Sequence, residues 1–269
     1  MLEFLIAPLI ACIVLAIMHA YLGIHVIERK VIFVDLALAQ IAALGTAFGF
    51  LLGYGYGDTT SYLLGLLFTF IGAGIFSLTR TRRERVPQEA IIGIVYAVSA
   101  AAFILVMDRA PEGAEKIKGM LVGSVLFVNG PEVIRLTGLY LIIGLFHYVF
   151  RNKFITISSN PEKAYDSGLR VKFWDFLFYV SFGIVVTQSV RISGVLLVFS
   201  FLVVPGVIAV QFADRWGNRL AIGWAVGAGA SLLGIVFSVI LDVPTGASIV
   251  CTFGIILILM GLVRITLKK

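Results

Sequence analysis

Asn160-Pro161-Glu162-Lys163-Ala164-Tyr165-Asp166-Ser167-Gly168 is a short polar stretch held between long apolar runs. Asn160 is a good N-cap, Pro161 suits the first helical position, Glu162 favours the positive end of the helix dipole, and Gly168 tolerates the left-handed conformation just past a helix end. The stretch reads as a short helix with its own start and stop, lying outside the membrane that the flanking runs imply. A plain connection between two spans has no need of such caps. The helix is therefore read as a docking element for a soluble partner; the alternative is a surface helix that only ends a loop.

The apolar runs on either side recur from end to end of the chain. Of 269 residues, 60% are hydrophobic and 13% charged, and the mean hydropathy is +1.04. A globule of that size would lack the polar material to cover itself, so the composition implies an integral membrane protein. No stretch is left for a separate soluble domain, and the expected fold class is an all-α, polytopic transmembrane helical bundle forming a single domain over 1–269. The first apolar run lacks a basic leader and continues for about a full span, so it reads as a retained helix rather than a cleaved signal. Cys12 and Cys251 lie in apolar runs near opposite ends, as buried small hydrophobes do, and not as a disulfide or metal pair.

Length and apolar continuity predict about nine spans, near 4–27, 31–53, 59–79, 88–107, 131–150, 173–190, 193–213, 219–241 and 246–265. If they alternate, the basic residues of 29–30, 80–85, 151–172, 215–219 and 264–269 all fall on one side. The other side holds Arg109, Lys116, Lys118, Arg135 and Arg191 at most. The excess of positive charge marks the cytoplasmic side, which puts the N-terminus outside, the C-terminus inside and the Asn160–Gly168 helix in the cytoplasm. The net charge of +6 thus reports orientation and not nucleic-acid binding. Between spans four and five, the apolar run Met120–Val128 is too short to cross and is expected to be re-entrant or interfacial.

Gly45, Gly49 and Gly53 recur at four-residue spacing in the second span, and Gly223 and Gly227 in the eighth, as expected where helices approach closely in lipid. Pro205, inside the seventh span, removes a helical hydrogen bond and is expected to kink or break it.

Gln40 lies about ten residues beyond the basic pair Arg29–Lys30, which at ~1.5 Å per residue sets it near the bilayer midplane. An amide at that depth faces protein or a water-filled path, as a pathway ligand or as an interhelical hydrogen bond. Asp35 is shallower, on a different helix face, and reads as an interfacial anchor paired with a cytoplasmic cation. His19 and His25, in the first span, read as satisfied core residues sooner than as metal ligands. Glu89, Gln188 and Arg191 sit at span ends, where anchoring is the common role. The chain has no hydrolase triad, no metalloprotease pair, no Cys-rich metal site and no Gly-x4-Gly-Lys-Ser/Thr loop for nucleotide phosphates. Any ATP that drives transport must be bound by another subunit.

Taken in order, several stretches resemble the ABC-3 permease family, the membrane subunits of ATP-binding-cassette importers for zinc, manganese and iron. The family's cytoplasmic pattern Asp-Pro-Glu-x-Ala-x-x-x-Gly is similar to Asn160-Pro161-Glu162-Lys163-Ala164-Tyr165-Asp166-Ser167-Gly168. Its Gly-Val-Leu-Leu-Val with a later proline is similar to Gly194–Val198 with Pro205, and its Pro-Ser-Gly-Ala to Pro244-Thr245-Gly246-Ala247. An acidic-x-x-Ile-Gly-Ile pattern resembles Glu89-Ala90-Ile91-Ile92-Gly93-Ile94. The second span departs from the family's Gly-Asp-Ala-x-Ser-His-Ala: Leu36 and Gln40 stand where the family's Asp and His are proposed to line the cation path.

The resemblance implies a non-enzymatic, multi-pass permease of a bacterial or archaeal cytoplasmic membrane that takes a divalent transition metal inward, without a cofactor of its own. It further implies a homodimer in membrane lipid, a partner ABC ATPase and an extracytoplasmic metal-binding protein. Asn160, Pro161, Glu162, Ala164 and Gly168 become the ATPase-coupling residues. Gln40, Leu36, Asp35 and His19 become the candidate substrate path, with Gln40 as the candidate metal contact. A permease of the same fold for another solute, and an ATP-independent secondary transporter, are the rival expectations; the carrier-like pair of related halves the latter would show is absent.

Overall fold

With no water in the hydrocarbon core, each backbone N–H and C=O must find its partner within the chain, and helices do this segment by segment. The computed structural model describes residues 2–55, 58–82, 86–109 and 125–267, with side chains from 5 to 266. Among them are eleven α-helices, a 3₁₀ turn at Val125–Phe127, and no strand. In chain order the helices are α1 (Leu2–Glu28), α2 (Val34–Leu51), α3 (Thr59–Thr79), α4 (Gln88–Met107), α5 (Gly130–Val149), α6 (Arg151–Ser159), α7 (Pro161–Asp166), α8 (Val171–Ser193), α9 (Val195–Phe212), α10 (Trp216–Leu241) and α11 (Thr245–Leu267). All but α6 and α7 are long and apolar enough to cross a membrane, nine among the described residues. They coincide with the spans expected from the sequence to within a few residues. Of the Met120–Val128 run, the part before Val125 lies outside the described residues, as do Arg83, Arg85, Lys116 and Lys118.

The chain divides into two compact units. The first comprises 1–27, 121–144 and 191–269. In it α10 lies close to α1: a methyl added at Gly227 would come within 2.7 Å of the Ala16 Cβ, and one at Gly223 within 3.1 Å of Ala20. Trp224 Nε1 donates to the Ile17 carbonyl at 3.0 Å, and Phe201 and Phe253 pack edge to face at 5.2 Å. Of the kink or break expected at Pro205, the break does not occur, since α9 runs through it from Val195 to Phe212. One missing hydrogen bond is tolerable where its neighbours persist and packing holds the flanks. Cys12 is buried, as expected, but Cys251 is exposed. An apolar run fixes a residue's environment without fixing which face of the helix it occupies.

The second unit comprises 28–120 and 145–190. Here α2 packs on α3 through small residues, with a methyl at Gly45 falling 2.6 Å from the Leu64 carbonyl oxygen and one at Gly49 2.6 Å from Ser61 Oγ. Gly53, read with these two as a packing residue, instead lies past the end of α2 at φ +88 with open space around it. It serves the turn, where a residue with a Cβ would be strained. On another side of α2, Ala43 and Ala47 pack with Phe103 and Met107 of α4. Around α6 and α8 the core is aromatic: Phe154 stacks on His147 at 4.4 Å and meets Trp174 and Phe178 at 5.7 and 6.1 Å.

Candidate functional site

The first candidate residues lie on α2. Phe33, Leu36, Gln40, Leu44, Phe48 and Leu51 follow one another at three- and four-residue spacing, and all are half-exposed or exposed while most other positions of the helix are buried. They form one stripe. Leu36 and Gln40 therefore share a face, with the amide near the middle of the helix. Gln40 Oε1 is shielded from solvent and has no hydrogen-bond partner among the described residues. An interhelical hydrogen bond to that oxygen, one of the two roles expected for Gln40, is thus not made there.

Asp35 sits on the opposite side of α2, buried at 1% exposure, and Oδ1 has no hydrogen-bond partner among the described residues. No ion pair to Asp35 is made among the described residues, where Arg29 and Arg80 both pair with Asp175. The start of α2 is held from another helix. Phe33, its N-cap position, offers no capping side chain, and Glu89 Oε1 on α4 accepts from the Phe33 N–H at 2.9 Å. Glu89 thus does more than anchor a span end.

The caps of α7 form as the residue types foretell. Asn160 Oδ1 accepts from the Lys163 N–H at 3.0 Å, Pro161 opens the helix, and Gly168 follows it at φ +75. The Gly168 and Leu169 N–H groups return to the Tyr165 and Ala164 carbonyls at 3.1 and 3.2 Å, closing the C-terminal turn. Pro161, Glu162, Lys163 and Asp166 are exposed, and Asp166 pairs with Arg82 at 2.6 Å. Ala164 is 0% exposed within its own chain. It seats the helix, and the residues on its outer face are the ones open to a partner.

Beneath α6 and α7 lies a cluster the sequence reading did not single out. Asp175, on the first turns of α8 and wholly buried, takes Arg29 Nη1 on Oδ1 at 2.6 Å and Arg80 Nη1 on Oδ2 at 2.9 Å. Arg29 Nε donates to Ser158 Oγ at 2.8 Å, and its guanidinium lies 3.9 Å over the Phe178 ring. Burial works against the Arg80 charge, but the Asp175 carboxylate, with smaller help from Tyr179 and Tyr165, more than offsets it and raises its pKa. The signal was present in Phe173-Trp174-Asp175-Phe176, where a lone carboxylate among aromatics demands a cation.

His19 lies on α1, in the other unit. Its Nδ1 is 2.8 Å from the Leu15 carbonyl oxygen, and Nε2 is buried with no hydrogen-bond partner among the described residues. His25 is packed between Tyr21 and Trp216 at 4.8 and 4.6 Å. No group of three or more His, Cys, Asp or Glu able to hold a metal occurs among the described residues.

Nine helices among the described residues are long and apolar enough to cross a membrane, with an exposed capped helix in the segment between the fifth and the sixth, and they define a multi-pass helical membrane protein. The chain belongs to the ABC 3 transport family (ABC-3), whose pattern matches residues 1–264. It is similar to the manganese transport system membrane protein MntC of Listeria monocytogenes, at 24% identity over 261 residues, covering 94% of this chain and 88% of that protein. It is likewise similar to the manganese import system permease protein ScaB of Streptococcus gordonii, at 24% identity over 257 residues, covering 94% and 89%. Among solved structures, PsaBC from Streptococcus pneumoniae in complex with Fab shares the fold at a TM-score of 0.77 and 24% identity, covering 96% of this chain and 90% of that one.

Proposed function

We propose that this chain is the membrane permease subunit of an ABC importer that carries a divalent transition metal into the cytoplasm, with manganese favoured over zinc and iron. The observation that carries the reading is the family match over 1–264 in a chain without a nucleotide-binding loop. A separate ATPase then supplies the energy through the outer face of α7, and an extracytoplasmic protein delivers the metal. Residues 1–269 work as one permease domain, with the C-terminus in the cytoplasm. Two copies of the chain assemble with their α2 stripes facing the path.

The relatives named for manganese support that preference, and so does the donor at hand. Gln40 offers a hard, neutral amide oxygen where the family pattern has the imidazole of His, and Leu36 stands in place of its Asp. Such oxygen suits a partly hydrated Mn²⁺ better than zinc, for which imidazole and thiolate compete more strongly. Passage past Gln40 is then loose, and selectivity is set by the external binding protein.

The test is uptake of radiolabelled manganese into vesicles holding the permease, its genomically neighbouring P-loop ATPase and the neighbouring binding protein. Uptake that needs ATP and the binding protein is the expected result. Uptake driven by an ion gradient without ATP would make the chain a secondary transporter. ATP-dependent uptake of another solute, with manganese, zinc and iron all excluded, would keep the permease role and overturn the substrate.

A further inference from the structure

We propose that the turn between α1 and α2, residues 29–33, is the joint through which displacement of α7 reaches α2, with Arg29 as its positioning residue. This rests on the function proposed above, in which α7 meets the ATPase and α2 lines the path.

The joint is held at both ends. At one end the Arg29 guanidinium is fixed by Ser158 Oγ at 2.8 Å, Asp175 Oδ1 at 2.6 Å and the Phe178 ring at 3.9 Å. Ser158 is in the last turn of α6, and the Asn160 that caps α7 donates its own N–H to the Thr156 carbonyl at 2.9 Å. The end of α6 and the start of α7 are thus hydrogen-bonded as one piece, and a shift of α7 is felt at Ser158. Arg80 reaches the same piece, with Nη1 on Asp175 Oδ2 at 2.9 Å and Nη2 on the Ile157 carbonyl at 3.4 Å.

At the other end Glu89 Oε1 holds the Phe33 N–H at 2.9 Å. Between the two anchors Lys30 is left-handed at φ 58 and the Val34 N–H closes a turn on the Val31 carbonyl at 3.2 Å, so the turn has little slack. Motion entering at Arg29 emerges as motion of α2, whose first residue is Val34. Arg29 has Ser158, Asp175, Phe178 and Tyr179 around it in one cluster, so it can change partners without leaving the cluster. Discrete alternative arrangements of that kind are what carry coupling between distant sites.

The experiment compares parent, S158A and R29K in vesicles with ATPase and binding protein, reading ATP hydrolysis, manganese uptake and melting temperature of the complex. R29K keeps a cation for Asp175 but cannot also supply the guanidinium donor to Ser158, and S158A removes a single hydroxyl. Both complexes should assemble and hydrolyse ATP at rates near the parent. Uptake per ATP should fall on the order of tenfold in R29K, with a smaller fall in S158A, within the range usual for coupling between sites. Unchanged uptake per ATP in both variants overturns the proposal. So does a proportional loss of hydrolysis and uptake with a lower melting temperature, which would make the cluster a structural brace only. If R29K does not assemble, S158A decides by the same ratio. A parent complex that neither assembles with the ATPase nor moves metal refutes the function itself and not this joint.

Discussion

Gln40 is the residue on which substrate passage turns under the proposed function, a reading supported by an amide oxygen that is shielded from solvent, unpartnered among the described residues and centred on the open stripe of α2. Gln40→Leu should leave the complex assembled and lower manganese uptake by about tenfold, the loss of roughly one charge-assisted ligand contact. Gln40→His should shift preference toward zinc in competition uptake, since imidazole is the softer donor. Uptake by Gln40→Leu at the parent rate would remove the residue from the path. The two buried aspartates make a second contrast. Asp175→Asn strips the partner from two buried arginines and should cost about 3–5 kcal/mol, seen as a large fall in melting temperature. Asp35→Asn, with no ion pair among the described residues, should change it little. Equal losses would mean that Asp35 has a cationic partner after all. Sequence pointed to Gln40 because depth follows from counting residues along one helix. It expected a cation beside Asp35 and did not single out Asp175, because Arg29 and Asp175 are 146 residues apart, and only the packing of α8 brings them together.

At the scale of the element, α7 shows what local chemistry fixes and what it leaves open. Its caps involve groups only a few residues apart, so Asn160, Pro161 and Gly168 were readable without any tertiary knowledge. Which side of a six-residue helix faces inward was not, since fewer than two turns give no periodicity to read. Ala164 had been assigned to the docking contact and is instead enclosed by its own chain. Two different outcomes follow. Ala164→Glu should bury a charge inside the chain, lowering the yield of folded permease in size-exclusion profiles. Glu162→Lys, on the exposed face, should leave the permease folded but weaken copurification of the ATPase. Retained copurification with Glu162→Lys would move the contact off this face. Pro205 repeats the lesson in a long helix: the residue type announces a lost hydrogen bond, but the surrounding helix decides whether the chain breaks there.

For the whole molecule, the apolar runs gave the spans because each must cover the same hydrocarbon thickness, whereas their grouping into units depends on contacts far apart in sequence. Orientation follows from neither, but from charge. The basic residues of 29–30, 80–85, 151–172, 215–219 and 264–269 all belong to loops or ends that alternate to the same side, with Arg109, Lys116, Lys118, Arg135 and Arg191 on the other. That side should be cytoplasmic, with the N-terminus outside and the C-terminus inside. Single cysteines report it directly, introduced after Cys12 and Cys251 are replaced so that no native thiol contributes. Thr81, after α3, and Ser159, at the end of α6, are exposed positions on the basic side; the adjacent Ser158 is buried against Arg29 and unsuitable. Val243, between α10 and α11, is 41% exposed and belongs to the opposite side. With an impermeant thiol reagent on intact cells, Val243→Cys should label at once, and Thr81→Cys and Ser159→Cys only after permeabilisation. The reverse pattern would invert the protein, and with it the side from which α7 meets a partner, since an ATPase can dock only where ATP is present.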